Sequence, residues 1–415
     1  MSKKSVAIVL FSVLLSAFSA RAVSQTPPPE YTKWLKELKQ EMADKGISEK
    51  TLETAFAKNY YHPRHDVVKK DRRQTEFVLT SSAYLHRVVS AVRVQKGREH
   101  YQELKKKYPQ GLSGVPLHYL LAFWGIETNY GTHKGGYPAI EALTVLSYDK
   151  RRSAFFRNEL YHALKILDEG HISFNKMESS WAGAMGHFQF MPSTFASYAI
   201  DADNDGHINI WSDFDDAIAS AANYLSEIGW KTEQPWGMPV KLAWNFNYAL
   251  ADRHKNKTVA EWKERGVEIK GAQDDWQGAV IIPEGRRGQA YMVFDNFHTI
   301  MDWNKSENYA LAVGLLADKL KNNKLSANIK VSKGYPLTRD DIKKVQKFIQ
   351  EQKIANISID GTLGTQTRRA IKKLQKKFKL PADGYPDYLL LKNIQNFAQR
   401  GYYPPIPSRK LHRAK

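Results

Sequence analysis

Apolar residues recur at three- and four-residue spacing over most of this 415-residue chain, and that period predicts a mainly helical protein. Residues 31–107 read as helices with frequent charge. TKWLKELKQEMADKG comes first, then SEKTLETAFAK, for which Ser48 is the expected N-cap. Residues 60–65 read as a loop, and helical spacing resumes over 76–107. Residues 108–230 are helical again, interrupted by loops dense in Gly and Asn. Two short extended runs, 240–244 and 278–283, predict a small β-rich insertion between about 232 and 295. Helix returns over 297–322, and the polar, turn-rich stretch 323–336 is the expected domain boundary. Beyond it, Ile342, Val345, Phe348 and Ile349 mark one amphipathic helix. Ala370, Ile371, Leu374 and Phe378 mark another, with Lys372, Lys373, Lys376 and Lys377 on its expected outer face. The fold class is therefore mainly α, of α+β type through the insertion, with a compact C-terminal helical module over 337–398. A basic tail, 399–415, follows, disordered from about residue 404. The chain shows no internal repeat.

One stretch breaks its own pattern. In residues 116–131, PLHYLLAFWGIETNYG, a stripe of Leu117, Leu120, Leu121 and Trp124 with Phe123 beside it leads by helical steps to Glu127. A carboxyl with Phe123 and Trp124 four and three positions before it would be poorly solvated. Desolvation disfavours the charged form, so its pKa should rise. A carboxylic acid still protonated near neutral pH is what a general acid needs to be. A partly exposed Glu at the end of a core helix would read the same way, so other parts of the chain must decide.

Composition narrows the classes. The chain has no Cys, which removes disulfides, thiol catalysis and Cys-ligated metal. Lys3 and Lys4 precede the apolar run 6–18, and Ala20-Arg21-Ala22 follows, the pattern of a secretory signal peptide over residues 1–22. No later segment is apolar enough to span a membrane, so a soluble, exported, periplasmic protein is expected. Net charge is +19, and residues 330–415 hold 20 Lys and Arg against six Asp and Glu. Such a basic end suits an anionic polymer, and export argues against nucleic acid.

Two further motifs carry chemistry. Asp201, Asp203 and Asp205, with Gly206 and the carbonyl of His207, match the opening half of an EF-hand calcium loop. Position 12 is Ser212, which offers no bidentate carboxylate, so a lengthened loop closing on Asp215 would supply the missing ligand. An acidic turn without an ion is the alternative. Calcium there is expected to be structural. Residues 179–195, SSWAGAMGHFQFMPSTF, concentrate small side chains before a helix entered near Pro192, which permits close backbone approach.

FWGIETNYG, SSWAGAMGHFQFMPSTF, DADNDGHINIW and residues 291–320, in that order, resemble the lytic murein transglycosylase B family over roughly 30–325. Residues 360–371 resemble the signature of the small three-helix peptidoglycan-binding module. The resemblance implies a lysozyme-like catalytic domain over 23–330, with Glu127 as the single catalytic acid/base. It implies that Ser180, Gln189, Tyr130 and one or both of Arg151 and Arg152 contact the glycan, with Asn304 and Tyr309 close to Glu127. It supports Asp201, Asp203, Asp205, the His207 carbonyl and Asp215 as calcium ligands, with no organic cofactor. The implied reaction cleaves the β-1,4 bond between N-acetylmuramic acid and N-acetylglucosamine without water, leaving 1,6-anhydromuramoyl ends. A hydrolytic muramidase and a non-catalytic peptidoglycan-binding protein are the alternatives. Expected partners are glycan strands and other cell-wall enzymes, with the chain a monomer.

Overall fold

Residues 27–58, 80–321 and 337–401 are described by the computed structural model. The expected signal peptide, the 60–65 loop, the 323–336 boundary and most of the tail lie outside the described residues. The first body is helical. Helix α1 (Pro29–Asp44) starts two residues before the expected Tyr31, with Pro29 in its first turn, and α2 (Glu49–Ala55) starts as the sequence predicts at Ser48, whose side chain accepts from Thr51 N. Helices α3 (Ser81–Val88), α4 (Ala91–Leu104) and α5 (Leu117–Thr128) follow. A two-stranded ribbon, β1 (Tyr137–Pro138) with β2 (Glu178–Ser179), encloses α6 (Ala139–Tyr148) and α7 (Ser153–Asp168). Then come α8 (Pro192–Tyr198) and α9 (Phe214–Glu227).

The expected β insertion is a five-stranded antiparallel sheet in the order β4-β6-β7-β3-β5. Its strands are β3 (Gly237–Leu242), β4 (Lys257–Thr258), β5 (Val267–Glu268), β6 (Gln277–Ile281) and β7 (Ala290–Val293), with α10 (Val259–Glu264) between β4 and β5. Alternation along the central strands buries both faces. Ala279, Ile281, Tyr291 and Val293 join the large helical core. Val240, Val280 and Met292 close a smaller core with Trp262 and Phe246.

The single helix expected over 297–322 is two: α11 (Asp295–Trp303) and α12 (Glu307–Lys321). Asn304 is extended (φ −139°, ψ 120°), its side chain accepts from Ser306 N, and the Ser306 hydroxyl accepts from Tyr309 N. Short polar side chains thus satisfy the backbone where the helix turns. Helices α13 (Arg339–Glu351), α14 (Thr365–Lys377) and α15 (Tyr388–Arg400) form the expected C-terminal module. Its own core holds Val345, Phe348, Ile371, Leu374 and Leu390. The basic tail begins later than expected, because α15 continues to Arg400 and ends at Gly401 in the left-handed region. Among the described residues no helix is long and apolar enough to cross a membrane.

Candidate active site

Helix α5 is buried around its whole circumference from Leu117 to Gly125, rather than along the one stripe its spacing predicts. Apart from the buried His118 and Tyr119 near its start, its polar residues lie in the C-terminal turn, after which Asn129, Tyr130 and Gly131 take positive φ in succession and reverse the chain. Glu127 sits on that last turn, half-buried. Its Oε1 accepts from the Trp303 indole at 3.0 Å and from the Tyr309 hydroxyl at 2.5 Å. The break between α11 and α12 is what brings both donors to one oxygen: Trp303 ends the first helix and Tyr309 lies in the first turn of the second. Tyr309 is buried, and burial followed by the neighbouring Glu127 charge holds its pKa well above 10. The phenol therefore stays protonated and keeps donating.

Aromatic rings continue from there. Phe123 packs tilted against Trp303 at 4.6 Å, and Trp303 meets Phe190 at 5.5 Å and Tyr224 at 5.0 Å. Tyr224 stacks on Tyr198 at 4.5 Å. Trp124, expected beside Glu127, faces elsewhere: its indole donates to His187 Nδ1 at 3.0 Å. Burial, and then Lys134, push the His187 pKa down to about 4, so its ring is neutral and can accept.

The small-residue loop is fastened to the end of α5. Thr128 donates to the His187 carbonyl at 2.8 Å. Ser180 Oγ accepts from Ala182 N and Ala184 N, folding the loop on itself. Gln189 has φ +54°, a conformation that costs a side-chain-bearing residue of order 1–3 kcal/mol. Its amide donates to the carbonyls of Lys134 and Gly186 at 3.0 and 3.1 Å, which holds it there.

Other expected residues lie differently. Tyr130 is 4% exposed and donates to the Arg93 carbonyl at 3.0 Å, beneath α4 and α5. The expectation of a glycan contact at Tyr130 is corrected, because its ring fills the close approach of those two helices over Gly97 and Gly125. Arg151 and Arg152 lie in the turn before α7, with the Arg152 guanidinium over the Phe155 and Phe156 rings at 4.6 and 4.8 Å. Sequence reasoning did not single out Trp303, Tyr224 or Tyr198. Their signal was only that the quoted 291–320 block holds Trp303, since a lone aromatic at helical spacing reads as core.

The acidic loop brings Asp201, Asp203 and Asp205 together, each with an oxygen within 4.8 Å of the others. Asp205 N and Gly206 N donate to Asp201, and His207 N donates to Asp205. At Asp203 the Asp205 N–H favours the carboxylate, but desolvation, the Asp205 charge and the contact with Asp201 outweigh it and raise its pKa. Three hard oxygen donors that repel one another are a donor set suited to Ca²⁺. Asp215, the expected closing ligand, turns outward: Lys107 and Tyr108 both donate to it. Cation pairing is the physical reason, and the correction is that Asp216 faces the loop instead. The buried Asp216 carboxylate accepts from Ala202 N and Asn209 N, both at 2.7 Å. The loop also meets the 179–190 segment: His187 N donates to the Ile210 carbonyl at 3.0 Å. At Gly186 (φ +67°) a Cβ would lie 2.4 Å from that same oxygen, so glycine is required there.

Comparison with known proteins places this geometry among relatives. Residues 30–318 match the family described as "Transglycosylase SLT domain", and residues 338–394 match "Putative peptidoglycan binding domain". The membrane-bound lytic murein transglycosylase B of Escherichia coli (strain K12) is 34% identical over 205 residues, 48% of this chain. The match takes in 55% of that protein, so the chain spans about half the length of the curated relative it matches. SltB3 from Pseudomonas aeruginosa, solved in complex with NAG-anhNAM-pentapeptide, is 36% identical with a TM-score of 0.79, covering 88% of this chain and 99% of that one. The Escherichia coli lytic transglycosylase Slt35, solved in complex with calcium, is 25% identical with a TM-score of 0.61, covering 69% of this chain and 92% of that one.

Proposed function

Because the chain belongs to the transglycosylase SLT domain family, we propose that it cleaves peptidoglycan glycan strands as a lytic transglycosylase. The observation that carries this reading is Glu127 itself, a half-buried carboxylate on a buried helix end, held at one oxygen by Tyr309 and Trp303 beside an aromatic wall. Glu127, protonated, gives its proton to the glycosidic oxygen as the bond from the muramoyl C1 to that oxygen breaks. The N-acetyl carbonyl of the same sugar answers the positive charge developing at C1. Glu127, now a carboxylate, takes the proton of the C6 hydroxyl as that oxygen closes on C1, which forms the 1,6-anhydro ring and restores the acid. One carboxyl serves both steps, where most glycosidases use two. That SltB3 was solved with an anhydro-muramoyl ligand is consistent with this product.

In this reading Tyr309 and Trp303 orient Glu127. Ser180 and Gln189 shape the loop against which the glycan lies, Asn304 fixes the α11–α12 turn, and Arg151 and Arg152 lie farther along the glycan. Residues 23–330 act as the catalytic domain and 337–398 as the wall-binding module, in a protein exported to the periplasm. Asp201, Asp203, Asp205 and the His207 carbonyl hold Ca²⁺, which would supply charge neutralisation to the loop and no chemistry to the reaction. The test is digestion of purified sacculi analysed by mass. The wild-type chain should release muropeptides one water lighter than their reducing-end counterparts, and Glu127→Gln should release none. Reducing ends would instead indicate a hydrolase, and undiminished release by Glu127→Gln would remove Glu127 from its role.

A further inference from the structure

Trp244 is 93% exposed, the most exposed large apolar side chain among the described residues. It does not sit on a loose loop. Ala243 N donates to the Gly266 carbonyl at 2.8 Å, Phe246 N donates to the Ala243 carbonyl at 3.0 Å, and the Phe246 ring is buried in the small β core. Asn247 then caps the short turn that follows, accepting from Ala249 N at 3.1 Å. The chain therefore spends hydrogen bonds on both sides of Trp244 to present a bare indole to solvent. A large ring left in water forgoes considerable burial energy, and an ordered one of this kind marks a binding surface.

The exposed neighbours of Trp244 are Asn245 and Asn247. An aromatic face flanked by uncharged amides suits a sugar, whose ring stacks while its hydroxyl and N-acetyl groups exchange hydrogen bonds. A bilayer-seeking surface would surround the indole with further apolar side chains. Strand β3 and Tyr248, on either side of the Trp244 loop, line a groove of about 1130 Å³. Leu242, Tyr248 and Ile269 contribute apolar lining, and Lys241, Lys270 and Arg286 line it as well, together with one carboxylate, Glu268, which lies across from Lys241 on the neighbouring strand. Among the described residues these three cations form no ion pair. The groove reaches the C-terminal module, since its lining residue Arg286 donates its backbone N–H to Asp383 of that module at 3.0 Å. None of Glu127, Trp303 and Tyr309 lines it.

We propose that Trp244, Asn245, Asn247 and this groove form a second peptidoglycan-binding site on the catalytic body. The sugars stack on the indole, and the carboxylates of the peptide branch meet Lys241, Lys270 and Arg286. The proposal rests on the peptidoglycan reading above. The site extends the wall-binding surface of the module toward the body that carries Glu127, so two linked sites hold one polymer.

The test is co-sedimentation of the full chain with purified sacculi, alongside turnover of a short soluble muropeptide. Trp244→Ala removes an exposed side chain and should leave folding unchanged. It should weaken sacculus binding about tenfold or more while turnover of the soluble fragment stays near wild type. Paired charge reversal, Lys241→Glu with Lys270→Glu, should do the same and steepen the loss with peptide-bearing strands. Glu127→Gln should bind sacculi as wild type does and turn nothing over, which separates failure of this site from failure of the catalytic reading. Wild-type sacculus binding by both the Trp244 and the lysine variants would overturn the proposal. So would a loss confined to vesicles of phosphatidylglycerol and phosphatidylethanolamine, which would assign the surface to membrane. A wild-type chain that neither binds nor cleaves sacculi would overturn the peptidoglycan reading and this site with it.

Discussion

Two donors reach one oxygen of Glu127, and each can be removed without touching the carboxyl. A hydrogen bond to a charged group contributes about 1.5–3 kcal/mol, so Tyr309→Phe should lower kcat by roughly 10- to 100-fold. KM should change little, because the phenol is buried and addresses Glu127. Both donors favour the ionised form, so losing one should also move the limb of the kcat–pH profile set by the essential acid to higher pH. An unmoved profile with unchanged kcat would show that Tyr309 only packs. Of this site the sequence displayed Glu127 as a carboxylate among apolar residues, because a chemical mismatch at helical spacing is a local signal. The pairing of Glu127 with Trp303 and Tyr309 spans 176 and 182 positions and depends on a helix break, neither of which periodicity encodes. Trp124 misled for the same reason: spacing says that a side chain is buried, not which neighbour it meets.

At the scale of elements, the acidic loop and the small-residue loop behave as one unit. Gly186 and His187 rest on Ile210, and Thr128 ties His187 to the end of α5. Ordering the acidic loop with a cation should therefore stiffen the segment bearing Ser180 and Gln189. Added Ca²⁺ should raise Tm, and chelator should lower it, with a gain of about 2.7 kcal/mol when the ion is present at a hundredfold its Kd. Asp201→Asn with Asp203→Asn should abolish that response, whereas Asp215→Asn should leave most of it, since Asp215 pairs with Lys107 and Tyr108. A Tm indifferent to Ca²⁺ would reduce the loop to an acidic turn. The motif itself was legible because oxygen side chains at alternate positions followed by Gly are a strictly local pattern. Its closure was not, because the choice between Asp215 and Asp216 is made by Lys107 and Tyr108 on a distant segment.

At the scale of the molecule, the C-terminal module is docked rather than merely attached. Its helix α14 was expected to show Lys372 to solvent, yet Lys372 is half-buried and donates to the Ala251 carbonyl. Arg369 bonds Asp252 at 3.0 and 3.4 Å, and Arg368 donates to the Pro283 carbonyl at 2.8 Å. Gly285 (φ +69°) lies so close to Asp383 that a Cβ would stand 2.7 Å from its carboxylate. The basic character of the module was plain in its composition. That three of its cations serve an internal seam was not, because the partners are neutral carbonyls and a single Asp far away in the chain. Burial pushes the Lys372 pKa down to about 8, with Asp252 acting in the opposite sense, so the charge of Asp252 offsets a cation that is costly to bury. Asp252 itself is held below the usual carboxylate range: burial acts against this, but the bonds from Arg369 and His254 N prevail. A depressed carboxylate contributes docking stability that is present above its free pKa, near 4, and is lost as pH falls through its lowered value. Docking should accordingly persist at neutral pH and fail in acid. Asp252→Asn should produce the acid behaviour at pH 7, leaving Lys372 and Arg369 without their counter-charge. In calorimetry one cooperative transition of the wild type should divide into two, and the radius of gyration in solution should grow. Deleting 337–415 outright would be a poorer test, because it also uncovers Pro283, Glu284 and Gly285, which are buried in the intact chain. If Asp252→Asn keeps a single transition at the wild-type temperature, the seam is held by the bonds of Lys372 and Arg368 to the neutral carbonyls of Ala251 and Pro283 rather than by the charge of Asp252.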